Sequence, residues 1–194
     1  MELLPHLTAS AAEAARIARG VPAGPLTAAT PCTDMDLKAL VNHWVLYSGY
    51  GLEKRAQRQP LPEGWLTRDF TAEPDWAEAY AAQLDRALAA WSDPAAWEGD
   101  VEIGEGYSMP AATIAGMIIK EHLLHGWDVA KASGQEIRVP EDTAKVLYEI
   151  VDEHAELFRE YKGFADPVVL PADASTFDRA LALSGRDPSW TPAA

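Results

Sequence analysis

Apolar residues recur with a period near 3.6 in five segments of this 194-residue chain. A chain so patterned folds into helices that each bury one stripe against their neighbours. The first stripe is Leu4, Leu7, Ala11, Ala14, Ala18 and Val21, closed by Gly20 and Pro22. The second takes Thr33 as its N-cap, with Asp36 three residues on in a near capping box. It buries Leu37, Leu40, Val41, Trp44 and Ser48 and runs to about Arg58, before a loop from Pro60 to Pro74. The third, roughly 75 to 92, buries Trp76, Tyr80, Leu84, Leu88 and Trp91. Trp97, Val101 and Ile103 then alternate with polar residues ahead of Gly104-Glu105-Gly106, which predicts a short hairpin.

The fourth helix starts near Ser108 and Pro110, reaches about Ala132 and stops at Gly134. The fifth has Pro140 as its first residue and buries Ala144, Leu147, Val151, His154, Phe158 and Tyr161. A Pro-rich tail from 162 carries one short helix, about 174 to 184. The expected fold class is all-α: an up-down four-helix bundle over residues 1–161, with the hairpin, and a tail over 162–194 packed on the same domain.

Charge and cysteine usage narrow the function. Sixteen Lys and Arg against 30 Asp and Glu leave a net charge of −14, which repels phosphate backbones. The densest basic stretch is only Lys54, Arg55 and Arg58, so no nucleic-acid partner is expected. The longest apolar window, Ile114 to Leu124, is broken by Lys120, Glu121 and His122, and no membrane span is expected. No basic region followed by an apolar run opens the chain, so the reading is cytoplasmic. The single cysteine, Cys32, excludes an internal disulfide and a Cys-rich metal site. It marks a helix entry, with no evident cation to lower its pKa. Phosphate-binding loops and serine-nucleophile motifs are absent from the sequence.

The fourth helix holds the chemistry. At 100° per residue with Glu121 at zero, Ile114 falls at about +20°, Met117 at about −40° and Ile118 at about +60°. Leu124 lies at about −60°, His125 at about +40° and Asp128 at about −20° on the same stripe. Glu121, His125 and Asp128 therefore form an ionisable column inside an apolar face. An unpaired buried carboxylate costs several kcal/mol, so Glu121 requires a compensating partner. Glu and His at i, i+4 can reach one ion together or hydrogen-bond each other. A metal needs a third ligand. His43 and His154 rank equally for that place by spacing, with His122 pointing about 100° away and His6 near the terminus.

Two segments and the tail carry a family resemblance. "TPCTDMDLKALVNHWV" (30–45) is similar to the T-P-C-x-G-W-x-V-R-D-L-L-x-H entry of the mycothiol-dependent maleylpyruvate isomerase family. "EHLLHGWDVAKASGQ" (121–135) resembles that family's E-x-x-x-H-G-W-D-x-A-x-A-x-G segment, and "LALSGRDPSW" (181–190) resembles the G-R-x-P-x-W ending of its stand-alone actinobacterial members. The resemblance implies a DinB-like (YfiT-like) bundle with one divalent metal held by His43, Glu121 and His125. It implies mycothiol as the thiol co-substrate, and that donor set suits zinc first, with nickel, iron and manganese also accommodated. The isomerase carries a further C-terminal domain that residues 162–194 are too short to supply.

The expected function is a metal-dependent enzyme that activates a low-molecular-weight thiol for transfer to, or isomerisation of, a small electrophile. Asp128 is expected to orient the free ring nitrogen of His125. The loop from Gln59 to Ala72 and the tail are expected to shape the electrophile pocket. The alternative is a non-catalytic metal- or ligand-binding bundle, as a homodimer formed by helix packing.

Overall fold

The computed structural model of the chain describes residues 2–104 and 106–192. Helix α1 (Leu4–Gly20) has a proline in its first turn, where a missing N–H is harmless, and its buried stripe includes Leu7, Ala11, Ala14 and Ala18. A second helical rod combines α2 (Leu37–Trp44), a π-helical turn (Val45–Tyr50) and α3 (Gly51–Ala56). Its cap is Asp36 and not Thr33: an Asp36 carboxylate oxygen accepts from the Ala39 N–H at 2.8 Å. Met35 N–H bonds back to the Cys32 carbonyl, so Thr33 is used up in a tight turn and the helix starts later.

Helix α4 (Trp76–Trp91) follows the 57–75 connection, and strands β1 (Asp100–Gly104) and β2 (Tyr107–Pro110) pair antiparallel with Val101 opposite Met109. The register slips between Glu102 and Gly104, which leaves Val101 in the core and turns Ile103 outward. A third composite rod joins α5 (Ala111–Lys120), a second π turn (Glu121–His125) and α6 (Gly126–Ala132). Helices α7 (Glu141–Glu160) and α8 (Thr176–Leu183) complete a mostly helical chain with one two-stranded sheet. No helix among the described residues is long and apolar enough to cross a membrane.

Four rods end alike. A residue at positive φ (Arg58, Gly134, Lys162, Gly185) sits just past α3, α6, α7 and α8, and the next N–H bonds back five residues. This is the Schellman closure. It corrects one expectation: Tyr161 lies beyond the last turn of α7, where the reversal at Lys162 swings it off the stripe and leaves it 75% exposed. Pro140 precedes α7 as its cap residue and is not its first helical residue.

Helix α1 packs against α4, α5, α6 and α7, and α8 packs on α7. The tail shares this core, because Ala180, Leu181 and Phe164 are buried with Leu7, Ile119 and Leu147 in one cluster. A second cluster joins Ile17, Leu40, Trp44, Tyr80 and Val129.

The two π turns touch. A π turn runs i→i+5 bonds in place of i→i+4 and frees backbone groups, which must then find other partners. Here the Ser48 carbonyl of the first turn accepts from the Nε2–H of His122 in the second, at 3.1 Å. The other ring nitrogen faces the Ser10 hydroxyl of α1 at 3.0 Å, so one fully buried imidazole joins three rods. Burial pulls that imidazole down to about 4, and it is neutral at neutral pH.

An unfolded chain, with His near its usual 6.5, takes up this proton before the folded one does. Stability is therefore complete above about pH 6.5 and falls as pH drops toward 4, by up to about 3 kcal/mol from this group. His122→Gln, which keeps an N–H for Ser48, is expected to flatten that part of the stability curve. Urea melts of both proteins between pH 7 and pH 4.5 check it; parallel curves would reject this role for His122.

Candidate metal centre

The second π turn decides where the ionisable column points. A π turn takes more residues per turn than an α-helix, so side chains four apart come nearer to eclipse. Glu121 and His125 span that turn, and their Oε2 and Nε2 atoms lie 3.6 Å apart. His43, in the last turn of α2, brings its Nε2 to 3.4 Å from the same carboxylate oxygen. The rings of His43 and His125 meet edge-on with centroids 5.0 Å apart. One donor atom from each of the three residues lies within 4.8 Å of the others, a group that could hold a metal ion.

The spacing fits such an ion. Tetrahedral ligands at about 2.0–2.1 Å from zinc are separated from one another by roughly 3.3 Å. The two distances to Oε2 are close to that edge and long for neutral hydrogen bonds. The other carboxylate oxygen, Oε1, is held by Lys120 Nζ at 2.9 Å. Burial alone would raise the Glu121 carboxyl. Lys120, His125 and His43 together outweigh it and hold the group well below the usual carboxylate range.

His125 is fixed from behind. Its Nδ1 lies 3.0 Å from Asp128 Oδ2, and because an ionised carboxylate only accepts, Nδ1 carries the proton. The lone pair of a neutral ring is then on Nε2, toward Glu121 and His43. Asp128 is fully buried and receives both Nε and Nη2 of Arg186, at 3.0 and 2.7 Å. Burial would lift the Asp128 carboxyl, but Arg186 and His125 outweigh that and hold it below its ordinary value.

Arg186 stands where it does because α8 closes with Gly185 at φ +84° and the Arg186 N–H on the Leu181 carbonyl. A Cβ on Gly185 would come within 2.8 Å of the Ala165 backbone. The tail thus reaches the centre through the guanidinium of Arg186, which bonds Asp128 outside the cavity lining.

The remaining candidates are placed elsewhere. His154, ranked with His43 by spacing, gives its Nδ1–H to the Ile150 carbonyl of its own helix. His122 is the inter-rod contact described above, and His6 meets the Thr143 hydroxyl. Cys32 lies within 4.8 Å of donor atoms of His125 and Asp128, which its place at a helix entry did not reveal. Burial pushes its thiol up, Asp128 adds to that, and the Asp128 oxygens are already bonded.

Sequence reasoning did not find Lys120, Arg186 or Arg55 as parts of the site. Lys120 had a signal, a cation next to Glu121 in an otherwise apolar run. Arg186 had only its position in the tail segment.

The pocket walls also differ from expectation. The 59–72 loop is tied down over the second rod, through Lys38–Asp69 at 2.8 Å and Phe70 N–H to the Asn42 side chain at 2.5 Å. Its first half, Gln59 to Leu61 with Leu66, lines a neighbouring hollow. The cavity over His43 and Glu121 is walled instead by the hairpin and the end of α7. Compared with family models, curated proteins and solved structures, the chain shows no match.

Arg186→Met would leave the buried Asp128 without its main counter-charge. A loss of about 3–5 kcal/mol in urea unfolding is expected, as for other broken buried pairs. Adding Asp128→Asn should restore part of it, giving a positive coupling in the double-mutant cycle. Additive losses would reject the pairing.

Proposed function

We propose that this chain is a divalent-metal-dependent enzyme that activates a low-molecular-weight thiol, mycothiol by resemblance, for transfer to or isomerisation of a small electrophile. The reading includes a DinB-like up-down bundle as the fold and His43, Glu121 and His125 as the metal ligands. The observation that carries it is the convergence of two imidazole nitrogens on one carboxylate oxygen at 3.4 and 3.6 Å, where His43 and Glu121 line a cavity.

The donor chemistry suits the ion. Two neutral imidazoles and one carboxylate leave a coordination position open, which is the pattern of catalytic zinc and not of closed structural sites. A divalent ion there would supply Lewis acidity that keeps a bound thiol ionised at neutral pH.

The chain's own groups prepare for this. Asp128 holds the His125 proton on Nδ1 and so presents Nε2. Arg186 keeps Asp128 ionised and oriented. Lys120 occupies Glu121 Oε1, leaving Oε2 toward the histidines. Its ammonium lies over the Phe158 ring, 4.1 Å from the centroid, so its stem and charge are fixed at the cavity edge. Cys32 is a poor substitute for an external thiol, since its surroundings favour the protonated form.

Elemental mass spectrometry of untagged protein purified without chelator tests the metal. About one equivalent is expected in wild type and in His154→Asn, and at least about a tenfold loss in His43→Ala and Glu121→Gln. Mycothiol-dependent consumption of small electrophiles should then disappear on chelation and return with zinc. Stoichiometric metal without any such turnover would favour a non-catalytic binding protein; no metal in wild type would remove the enzyme reading.

A further inference from the structure

The cavity above the centre has a volume of about 590 Å³, within the range of small-molecule sites. Its deeper wall is apolar, built from Ile114, Met117 and Ile118 of α5 with Phe158 of α7. Its mouth is apolar as well. Six large hydrophobic side chains are exposed among the described residues, and four of them (Ile103, Tyr107, Leu157 and Tyr161) line this one cavity. Two come from the hairpin, one from α7 (Leu157) and one from just past its end (Tyr161). Apolar side chains gathered at one opening mark a binding surface, where scattered ones would not.

Into this apolar space the second rod projects a guanidinium. Arg55 of α3 lines the cavity, and its Nη1 is buried with no hydrogen-bond partner among the described residues. Only one other buried side-chain polar atom among those residues is in that state, Trp44 Nε1, which is sealed in the core. The Arg55 position is specifically accommodated: a Cβ on Gly51, one turn earlier, would stand 2.5 Å from Nη1. Burial pulls the guanidinium below its usual value, the mark of a cation short of compensation. A buried donor without an acceptor is costly, and a ligand that supplies the acceptor recovers that cost.

The sign of the local charge is clear. Glu121 is the only acid lining the cavity among the described residues, and Lys120 already neutralises it at 2.9 Å. Arg55 is therefore an excess cation, in a molecule whose net charge is −14. A guanidinium matches the planar two-oxygen geometry of a carboxylate.

We propose that this cavity binds an amphipathic organic carboxylate, its apolar body against Ile114, Met117 and Phe158 and its carboxylate on Arg55. Within the proposed function it is the electrophilic co-substrate that has this form. The inference rests on that reading for its reaction but not for its binding.

Calorimetric titration with octanoate, octanol and butyrate tests it, on chelator-treated and zinc-loaded protein. In wild type, octanoate should bind about tenfold or more tightly than either of the others, since only it offers both the chain and the charge. Arg55→Met should weaken octanoate by about tenfold to a hundredfold and leave octanol unchanged. Gly51→Ala, which retains the charge but displaces it, should weaken octanoate in the same direction.

Octanol binding as tightly as octanoate in wild type, or no octanoate binding at all, would overturn the proposal without recourse to any variant. Octanoate binding that ignores Arg55→Met in a protein that melts like wild type would do the same. If octanoate binds through Arg55 while no metal is ever retained, the enzyme reading fails and the carboxylate site stands. If the metal is retained and octanoate does not bind, only the carboxylate site falls.

Discussion

Two carboxylates, Glu121 mostly and Asp128 fully withdrawn from solvent, lie on a single helix face, and much of the architecture around them is compensation for that. A buried carboxylate without partners costs several kcal/mol, so each must be met by groups from other elements. Glu121 is met by His43 from the second rod and by its neighbour Lys120. Asp128 is met by Arg186 from beyond α8. The positions of α2 and of the tail relative to the third rod are thus set by charge as well as by apolar packing. His125 stands between the two carboxylates and contacts both, at 3.6 and 3.0 Å, so the two compensated charges form one connected unit.

That unit requires two departures from regular helix, and they face one another. The π turn at Glu121–His125 brings the carboxylate and imidazole over the same spot, while the one at Val45–Tyr50 begins two residues after His43. Each irregular turn is stabilised by the other through His122 and Ser48. The Ser48 hydroxyl bonds back to the Trp44 carbonyl at 2.5 Å and meets Tyr80 of α4 at 2.6 Å, so the distortion is anchored in the core. Irregular backbone held this firmly is the form in which proteins keep a functional geometry rigid.

The parts of this arrangement that follow a periodic rule were readable from the residues alone. The stripes of α1, α4 and α5 emerge from spacing, and so does the column of Glu121, His125 and Asp128. The parts set by tertiary partners were not. Thr33 and Asp36 both have cap chemistry, and the choice between them depends on a turn that consumes Thr33. His43 lies at the edge of its apolar stripe and His154 squarely on its own, so spacing ranks them alike, yet only His43 faces another rod's carboxylate; His154 bonds to its own backbone. Arg186 and Asp128 are far apart in sequence, and no local pattern joins them. Arg55 belonged to the densest basic stretch, with Lys54 and Arg58, which is too slight for a nucleic-acid patch and carries no other local signal. Only the tertiary fold places it in one cavity lining with the hairpin and the end of α7.

The centre is consequently finished on one side and unfinished on the other. Toward the tail, every donor of the Arg186–Asp128–His125 chain that touches the carboxylate has its acceptor, and Asp128 is fully buried. Toward the hairpin, one cavity is lined by Arg55, whose Nη1 has no partner among the described residues, by exposed aromatic and aliphatic edges, and by Glu121, whose Oε2 is shared at long range by two imidazoles. Selection for stability alone would fill that space or replace Arg55 with an apolar side chain, since buried unsatisfied groups and exposed apolar rims both cost free energy. Stability defects that cluster at one opening, beside three potential metal donors, are the usual physical trace of binding. The rigid side holds the donors in register, and the unfinished side gives a ligand something to complete.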